Sequence, residues 1–490
     1  MVLSLWTVPL VLRALGQSDY GLYNLVAGVV TMLTFLNSSM TVVTQRYMSV
    51  TMGSGNQESL NHVYNASIRI HFILGIVLVL LLEICTPFLF NGFLNIETGR
   101  NGAALVLYQF MIVSTFFTII AVPFDATLNA YENMLVFSLI SSAEAIFRLL
   151  LAYTLAFFSI DRLIVYGLGL ASISILGVLA RVFIVGKKYS ALRFRYNESI
   201  PKDLYKEMLS YAGWNTFGSV AMVGKNQGIA VVLNLFKGTV INASYGIANQ
   251  VNGLLSSFTS SIQKAVSPQL MKHEGANQHE EMINMSFSLV KMATIVFSLM
   301  AIPIALEAEQ LLQWWLHDDV PAYTVIFCQL IILTQLLFQL SSGVALTIDA
   351  VGKIKIYRIV LSAVLVLNIP IAYFFLKLGY EPYMVIATMV LIEFLCLLVR
   401  LYFAYQVANY PILLYFTECL LPLFGMVCFS LLGGYLITLY IHPGLVRLII
   451  VTATSILLTS ITSLLFVLNK KEKQLMKNFC NSIIYKVSRR

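Results

Sequence analysis

About fourteen apolar runs follow one another along this 490-residue chain, and nearly every one is long enough to cross a lipid bilayer. A spanning helix needs about 20 mostly apolar residues, and these runs lack the alternation of barrel strands. Composition agrees, since 59% of the residues are hydrophobic and 11% charged, against about 25% charged in soluble domains. The sequence therefore predicts an all-α integral membrane protein. The predicted spans cover residues 1–15, 22–44, 67–90, 103–130, 134–158, 163–185, 209–236, 241–263, 287–314, 321–349, 354–376, 383–407, 416–441 and 445–468.

The positive charges divide unequally between alternate loops. About twenty-one Lys and Arg residues fall on one side, among them Lys353, Lys355, Arg358 and Arg400, and only about six on the other. The positive-inside rule assigns the richer side, and with it both termini, to the cytoplasm. The formal net charge of +8 therefore indicates membrane topology, and we expect no nucleic-acid partner.

One acidic stretch, EAEQLLQWWLHDDV at Glu307–Val320, falls on the outer side and holds no Lys or Arg. Its Trp314 and Trp315 are predicted to lie in the interfacial aromatic belt. The six cysteines have no metal-like spacing, and most lie inside predicted spans. We expect no disulfide framework, no metal site and no cofactor.

A long-period repeat indicates that the chain contains a duplicated half. The segment YGLYNLVAGV at Tyr20–Val29 recurs 225 residues later as YGIANQVNGL at Tyr245–Leu254. This offset pairs spans one and two with spans seven and eight in the same orientation. Such repeats are related by an axis along the membrane normal, and a substrate path commonly lies between the two halves of a duplicated transporter.

Small and polar residues share one helical face in both copies of the repeat. The stripes are Asn24, Gly28, Thr31 and Ser38 in the first copy and Asn249, Gly253, Ser256 and Gln263 in the second. Close helix packing explains such stripes without a ligand, whereas a hydrophilic cavity wall explains them as a binding surface. Both interpretations stay open, and Asn24, Thr31, Asn249 and Ser256 are our candidate cavity residues.

These patterns predict five parts of the chain. They are an N-lobe of six helices at 1–186, a basic cytoplasmic linker at 187–208, a C-lobe of six helices at 209–407, two additional helices at 408–468 and a basic cytoplasmic tail at 469–490. The first span is about 15 residues shorter than its partner in the repeat. We therefore expect a truncated N-terminus or a misassigned start.

The run from Gly213 to Lys272, and LVLRALGQSDYGLYNLV near the start, resemble bacterial polysaccharide-biosynthesis flippases of the O-antigen type. These flippases belong to the multidrug/oligosaccharidyl-lipid/polysaccharide (MOP) exporter superfamily. The resemblance implies two pseudo-symmetric six-helix lobes, as in MATE transporters, plus two C-terminal helices. It also implies alternating-access transport, without catalysis, of undecaprenyl-diphosphate-linked oligosaccharide across the bacterial inner membrane for O-antigen (lipopolysaccharide), capsule or exopolysaccharide assembly. The implied partners are this substrate, membrane lipid and polysaccharide polymerase or other assembly proteins.

Three other functions are possible for a membrane protein with these features. A multidrug or cation antiporter of the same superfamily is disfavoured by fourteen spans and by the polysaccharide-type segments. A membrane enzyme of polysaccharide assembly needs catalytic groups in a sizeable loop, but the outer loops are short and the inner segments carry no nucleotide or metal motif. A non-transporting scaffold for assembly would not need the polar stripes.

A lipid-linked sugar diphosphate requires cations in a polar cavity. The candidates are Lys225 in span seven, Arg148 in span five, and Arg46 and Lys264 at the inner ends of spans two and eight. A Lys at mid-span costs about 2.5–3.5 kcal/mol on insertion scales unless it meets water or a partner. A structural ion pair, or snorkelling to the headgroups, is the alternative for each cation.

Three intramembrane acids are candidates for coupling transport to H+ or Na+. Asp125 follows Pro123 in span four, and Asp349 lies in the corresponding region of the other half. Glu144 is the third candidate, and its spacing of four residues from Arg148 predicts an ion pair on one helical face. A helix cap or a structural hydrogen bond is the alternative for Asp125.

Overall fold

A computed structural model describes residues 7, 10, 11, 13–16, 19, 20, 22, 23, 26, 27, 34–90, 99–189, 191–195, 199–316, 320–470 and 472–474. Within these ranges every regular element is helical, which confirms the all-α prediction. From residue 34 onward the helices are α1 Thr34–Gly53, α2 Gln57–Phe88, α3 Asn101–Ala130, α4 Met134–Thr154, α5 Arg162–Lys188, α6 Lys202–Gly275, α7 His279–Leu306, α8 Ala308–Leu316, α9 Thr324–Leu340, α10 Ser342–Val351, α11 Lys355–Val366, α12 Asn368–Lys377, α13 Pro382–Ala408, α14 Ile412–Tyr415, α15 Leu421–Tyr440 and α16 Leu445–Thr462. Short π-helical segments follow α14 and α16.

Nine helical stretches in the described part of the chain are long and apolar enough to cross a membrane. A tenth is obtained if α9 and α10, bent by 44° at their junction, form one broken span. The first predicted span lies largely outside the described residues, and fourteen spans stays a prediction.

The segment between predicted spans seven and eight is helical, and the boundary between these spans stays a prediction. Helix α6 continues from Lys202 to Gly275 through the segment Lys237–Val240, where we expected an outer loop. The only helix-breaking residue there is Gly238, and a single glycine costs a helix only about 1 kcal/mol. The loop prediction relied on a drop in hydropathy, which does not require the backbone to leave the helix.

Large apolar side chains cover the outer faces of these helices. On α2, Ile84 is 71% exposed and Ile73 is 60% exposed, while Leu78 and Leu82 on the opposite face are buried. Exposing such a large apolar surface to water would be unfavourable, whereas contact with lipid tails is not. Trp314 and Trp315 on α8 are both exposed, as an interfacial position requires.

The chain divides into two compact units, of which the first is Met1–Thr216. Within it, α3 packs against α1, α2 and α5. The predicted linker segment is bound to α2 by side-chain amides. Asn65 donates from Nδ2 to the Arg193 carbonyl (2.9 Å) and accepts at Oδ1 from the Arg195 backbone N–H (2.8 Å). Asn61 accepts from the Arg193 N–H in the same way (3.2 Å).

The second unit is Phe217–Arg490. Its last two long helices, α15 and α16, pack against α7 and against each other. Ion pairs join this C-terminal part to α7 and its C-cap: Arg447 pairs with Glu307 (2.8 Å), and Lys291 pairs with Glu472 (3.3 Å). Glu307, Lys291 and Glu472 are buried.

An arginine joins three segments of the first unit at the end predicted to face outward. Arg100, the N-cap of α3, donates to Asp19 and to Asp161, the N-cap of α5 (2.6 Å to Asp161 Oδ2). Partial burial raises the pKa of the Asp161 carboxyl, but hydrogen bonds from Arg100 and from the Leu163 N–H outweigh it. The net pKa lies below the ordinary 3.8.

We expect Asp161→Asn to lower the melting temperature at neutral pH but not in acid. Asparagine still caps α5, so the substitution removes mainly the charge. Because the folded-state pKa is depressed, the stabilisation is present above the ordinary pKa and disappears as pH falls through the lowered value. Thermal unfolding of purified protein across this range tests it, with exposed Glu281→Gln as the control. A melting-temperature difference that does not change with pH would contradict the assignment.

Candidate functional site

Two carboxylates and one guanidinium form a cluster inside the first unit, here called the N-terminal charge cluster. Arg181 of α5 donates from Nε to Asp125 of α3 (2.7 Å) and from Nη1 to Glu144 of α4 (2.5 Å). The Arg181 side chain is only 8% exposed. Two acidic side chains from different helices are thus held by one buried arginine, whose rigid fork suits two carboxylates.

Gly177, one helical turn before Arg181 on α5, makes room for this cluster. A Cβ atom at position 177 would lie 2.0 Å from Oε1 of Glu144 and 3.0 Å from Nη1 of Arg181. Real atoms do not approach so closely, so any larger residue must displace the Glu144 carboxylate. The absent side chain therefore positions the ion pair.

We expect Gly177→Ala to lower the melting temperature, and Gly186→Ala on the same helix to leave it unchanged or raise it. Nothing lies within 4 Å of a Cβ at Gly186, where alanine improves helix propensity by up to about 1 kcal/mol. Differential scanning fluorimetry of the two variants tests the difference. Adding Glu144→Ala to Gly177→Ala should recover the part of the loss caused by the clash. Equal melting temperatures for the two glycine variants would refute the positioning role.

Two cavities in the first unit adjoin the cluster, and both are lined by Glu144 and Arg148. The first, of about 260 Å³, is also lined by Tyr23, Ser141 and Tyr166. The second, of about 140 Å³, is also lined by Thr41, Thr118, Asp125, Ser174 and Arg181. The rings of Tyr23 and Tyr166 meet edge to face at 5.0 Å. Cation, carboxylate, hydroxyl and aromatic groups therefore line the larger cavity together.

The predicted pairing of Glu144 with Arg148 is wrong. Glu144 pairs instead with Arg181 on the neighbouring helix. Gly177 has no side chain, and the Glu144 carboxylate occupies the space that a side chain there would fill. Arg148 is exposed to the cavities and makes no ion pair or hydrogen bond with the residues that the structure describes. A cation is thus left available beside Tyr23 and Tyr166.

The second unit buries its own charged group. Arg400 of α13 donates to Glu393 (2.6 Å) and to Ser341 Oγ (2.6 Å), and its guanidinium lies 5.1 Å from the centre of the Phe338 ring. Lys225 of α6, 4% exposed, is within electrostatic reach of both Glu393 and Arg400. Arg400 pairs directly with Glu393, and Lys225 is a second buried cation in the same region. Arg400 was counted above as a cytoplasmic loop charge, which is wrong, since it lies buried on α13.

The remaining charged candidates lie apart from these groups. Asp349 at the end of α10 pairs with Arg358 (2.8 Å). Arg46 on α1 is buried, with its guanidinium 5.0 Å from the centre of the Tyr47 ring and 4.9 Å from that of Tyr211. Lys264 on α6 is exposed. The structure does not bring Arg46 to the cavities that Arg148 lines.

Two candidate residues in the polar stripe of the second repeat form hydrogen bonds within their own helix. Asn249 donates to the Tyr245 carbonyl (2.9 Å), and Ser256 donates to Asn252 Oδ1 (3.4 Å), both within α6. Asn24 and Thr31 of the first stripe lie outside the described residues. The cavity role of all four stays a prediction.

Arg181, Tyr23 and Tyr166 were not among the predicted site residues. A signal for Arg181 was present, since an arginine within span six needs a partner in the membrane. That partner comes from two other helices, 37 and 56 residues away in sequence. A search for ion pairs at spacings of three or four residues along one helix cannot detect partners so far apart in sequence.

Comparison with known proteins identifies the family to which the chain belongs. The chain matches the family described as polysaccharide biosynthesis protein over residues 1–274, more than half of its length. No match was found among curated proteins.

Solved structures of MATE and MOP-superfamily transporters share the fold. A multidrug resistance MATE transporter of the MOP superfamily in its outward-facing conformation is 14% identical, with a TM-score of 0.71, and the match covers 83% of this chain and 92% of that one. A MATE structure in the bent conformation is 14% identical, with a TM-score of 0.71, and covers 83% and 91%. A MOP-superfamily transporter from Pyrococcus furiosus, described as having a binding pocket of reversed polarity, is 15% identical, with a TM-score of 0.70, and covers 83% and 92%. This chain is therefore a multi-pass membrane protein that belongs to the polysaccharide biosynthesis protein family and has the fold of the MATE transporters of the MOP superfamily.

Proposed function

We propose that this protein is a flippase that moves an undecaprenyl-diphosphate-linked oligosaccharide across the bacterial inner membrane by alternating access. Family membership supports a role in polysaccharide assembly, and the fold is one that transporters use. The observation that carries the proposal is Arg148, a cation exposed to cavities inside a membrane-spanning unit and flanked by two tyrosines.

The groups that line the cavity suit the diphosphate and the sugar, the polar parts of the substrate that are unstable in the hydrocarbon of the membrane. A guanidinium binds phosphate oxygens in a bidentate manner and keeps its charge at any physiological pH. The Tyr23 and Tyr166 rings offer apolar faces, and Ser141 offers a hydroxyl, to the adjoining sugar. The polyprenyl tail needs no cavity, because it can remain in the hydrocarbon during transfer.

The carboxylates of the N-terminal charge cluster supply a means of coupling in this proposal. Asp125 and Glu144 share Arg181 and line the second cavity. A proton or Na+ arriving at either carboxylate weakens its attraction to Arg181, so the α3–α5 and α4–α5 contacts change with ion occupancy. Asp349, already paired with Arg358 outside these cavities, is a weaker candidate.

A multidrug or cation antiporter is the second candidate function. The observation in its favour is that the carboxylates of Asp125 and Glu144 line the second cavity, where they could bind an organic cation. Arg148 opposes it, because it places a positive charge in the same space.

Deleting the gene tests the proposal. Undecaprenyl-linked oligosaccharide should then accumulate on the cytoplasmic leaflet, and a plasmid copy should restore outer-leaflet delivery. Normal delivery in the deletion strain, with increased sensitivity to cationic drugs, would support the antiporter instead. Reporter fusions at both termini check the cytoplasmic placement that the loop charges predict.

A further inference from the structure

The second unit contains a cavity with a mixed polar and apolar lining, beside α8 and the start of α9. Its volume is about 360 Å³, within the range of about 300–1,000 Å³ typical of small-molecule sites. Glu309 and Gln313 of α8 line one side, and Tyr323, Thr324 and Gln329 line the other. The loop charges predict that this end of the unit lies outside the cell.

Tyr323 is held in a strained conformation at the cavity wall. Its φ of 66° is in the left-handed region, which bulky residues rarely occupy and which costs about 1–3 kcal/mol. Its side chain makes two contacts: the phenol donates to Glu381 Oε2 (2.6 Å), and the ring stacks on Phe327 with centroids 6.2 Å apart. Strained residues that the surrounding structure holds in place cluster at ligand sites.

The lining groups select among possible ligands. Its described lining consists of a carboxylate, two amides, a hydroxyl, a phenol ring and four apolar residues. None of these described residues is Lys or Arg, so a phosphate would find no cation among them. In the described part of the chain, no group of three or more His, Cys, Asp or Glu side chains is placed to hold a metal ion. Glu309 and Gln313 offer hydrogen-bonding groups, and the Tyr323 ring offers an aromatic face. This combination suits a ligand rich in hydroxyls and C–H faces.

We propose that this cavity is a saccharide-binding site that receives the glycan of the substrate on the outer side. The assignment rests on the flippase function, since a transported glycan must cross to reach this end. It deepens that function by naming where the glycan binds on the outer side.

Tryptophan fluorescence provides a direct test, because Trp314 and Trp315 lie on α8 next to Gln313. The probe is the free oligosaccharide released by mild acid from the strain's own lipid-linked pool, titrated into full-length protein in nanodiscs. We expect a saturable change in emission, with affinity reduced about tenfold or more by Gln313→Ala and by Glu309→Gln, as hydrogen bonds are lost. Gln310→Ala on the same helix, outside the cavity lining, should bind as wild type does.

Two results would overturn the proposal: no saturable change with wild-type protein, or wild-type affinity in both cavity variants. Melting temperatures of the variants separate lost binding from misfolding. The test is independent of translocation. If the deletion strain delivers its glycan normally, the flippase proposal fails regardless of the titration; if delivery needs the protein but the free glycan does not bind, only the outer site fails.

Discussion

Replacing Arg148 with alanine should reduce delivery of lipid-linked oligosaccharide to the outer leaflet by about ten- to a hundredfold. A hydrogen bond to a charged group is worth about 1.5–3 kcal/mol, and Arg148 is the cation that both cavities of the first unit expose beside Tyr23 and Tyr166. Its loss leaves the diphosphate with Arg181, which two carboxylates already occupy. The measurement is the fraction of lipid-linked glycan that an external glycosidase can reach in spheroplasts.

Two variants make this result specific. Arg148→Lys keeps the charge but loses the bidentate geometry, so delivery should fall between that of wild type and alanine. Lys202→Ala removes an exposed cation at the start of α6, away from these cavities, and should deliver normally. Wild-type delivery by a well-expressed Arg148→Ala protein would remove Arg148 from the substrate path.

Arg181→Ala should cause the largest loss of stability. Removing one partner of a buried ion pair typically costs about 3–5 kcal/mol, because the other charge is left unpaired. Here two carboxylates, Asp125 and Glu144, would lose their partner together. A steep fall in melting temperature and in expression is the expected outcome, measured on protein purified in mild detergent.

A triple substitution separates charge from packing in this cluster. Arg181→Met combined with Asp125→Asn and Glu144→Gln keeps the volumes and removes all three charges. Stability should rise well above that of Arg181→Ala, because no charge is left unpaired. Transport should not return if the carboxylates couple it to an ion. A triple variant as unstable as Arg181→Ala would show that packing, not charge balance, holds these helices together.

The fold was predictable because lipid imposes one strong rule on the backbone. Each apolar run long enough to span must form a helix, and α3, α5 and α13 lie within three residues of the predicted spans. Span boundaries were less predictable. Loss of apolar character around Lys237 did not end α6, and Glu307 separates α7 from α8 inside one predicted run.

The site was predictable only in part, because spacing along one helix says nothing about neighbouring helices. Asp125, Glu144 and Arg148 were predicted as site residues because a charged side chain inside a membrane is costly unless it has a partner or meets water. Their true arrangement depends on Arg181 from a third helix and on the missing side chain of Gly177. Lys225 was recognised in the same way, but its neighbours Glu393 and Arg400 come from α13, about 170 residues later.

The most direct test of the central claim is translocation by purified protein. Proteoliposomes containing the strain's lipid-linked oligosaccharide would be treated with an external glycosidase. With wild-type protein we predict that nearly all of the glycan is cleaved, whereas Arg148→Ala and protein-free vesicles lose only their outer-leaflet share. If wild-type vesicles also lose only that share, under every ion gradient applied, the protein does not flip this substrate.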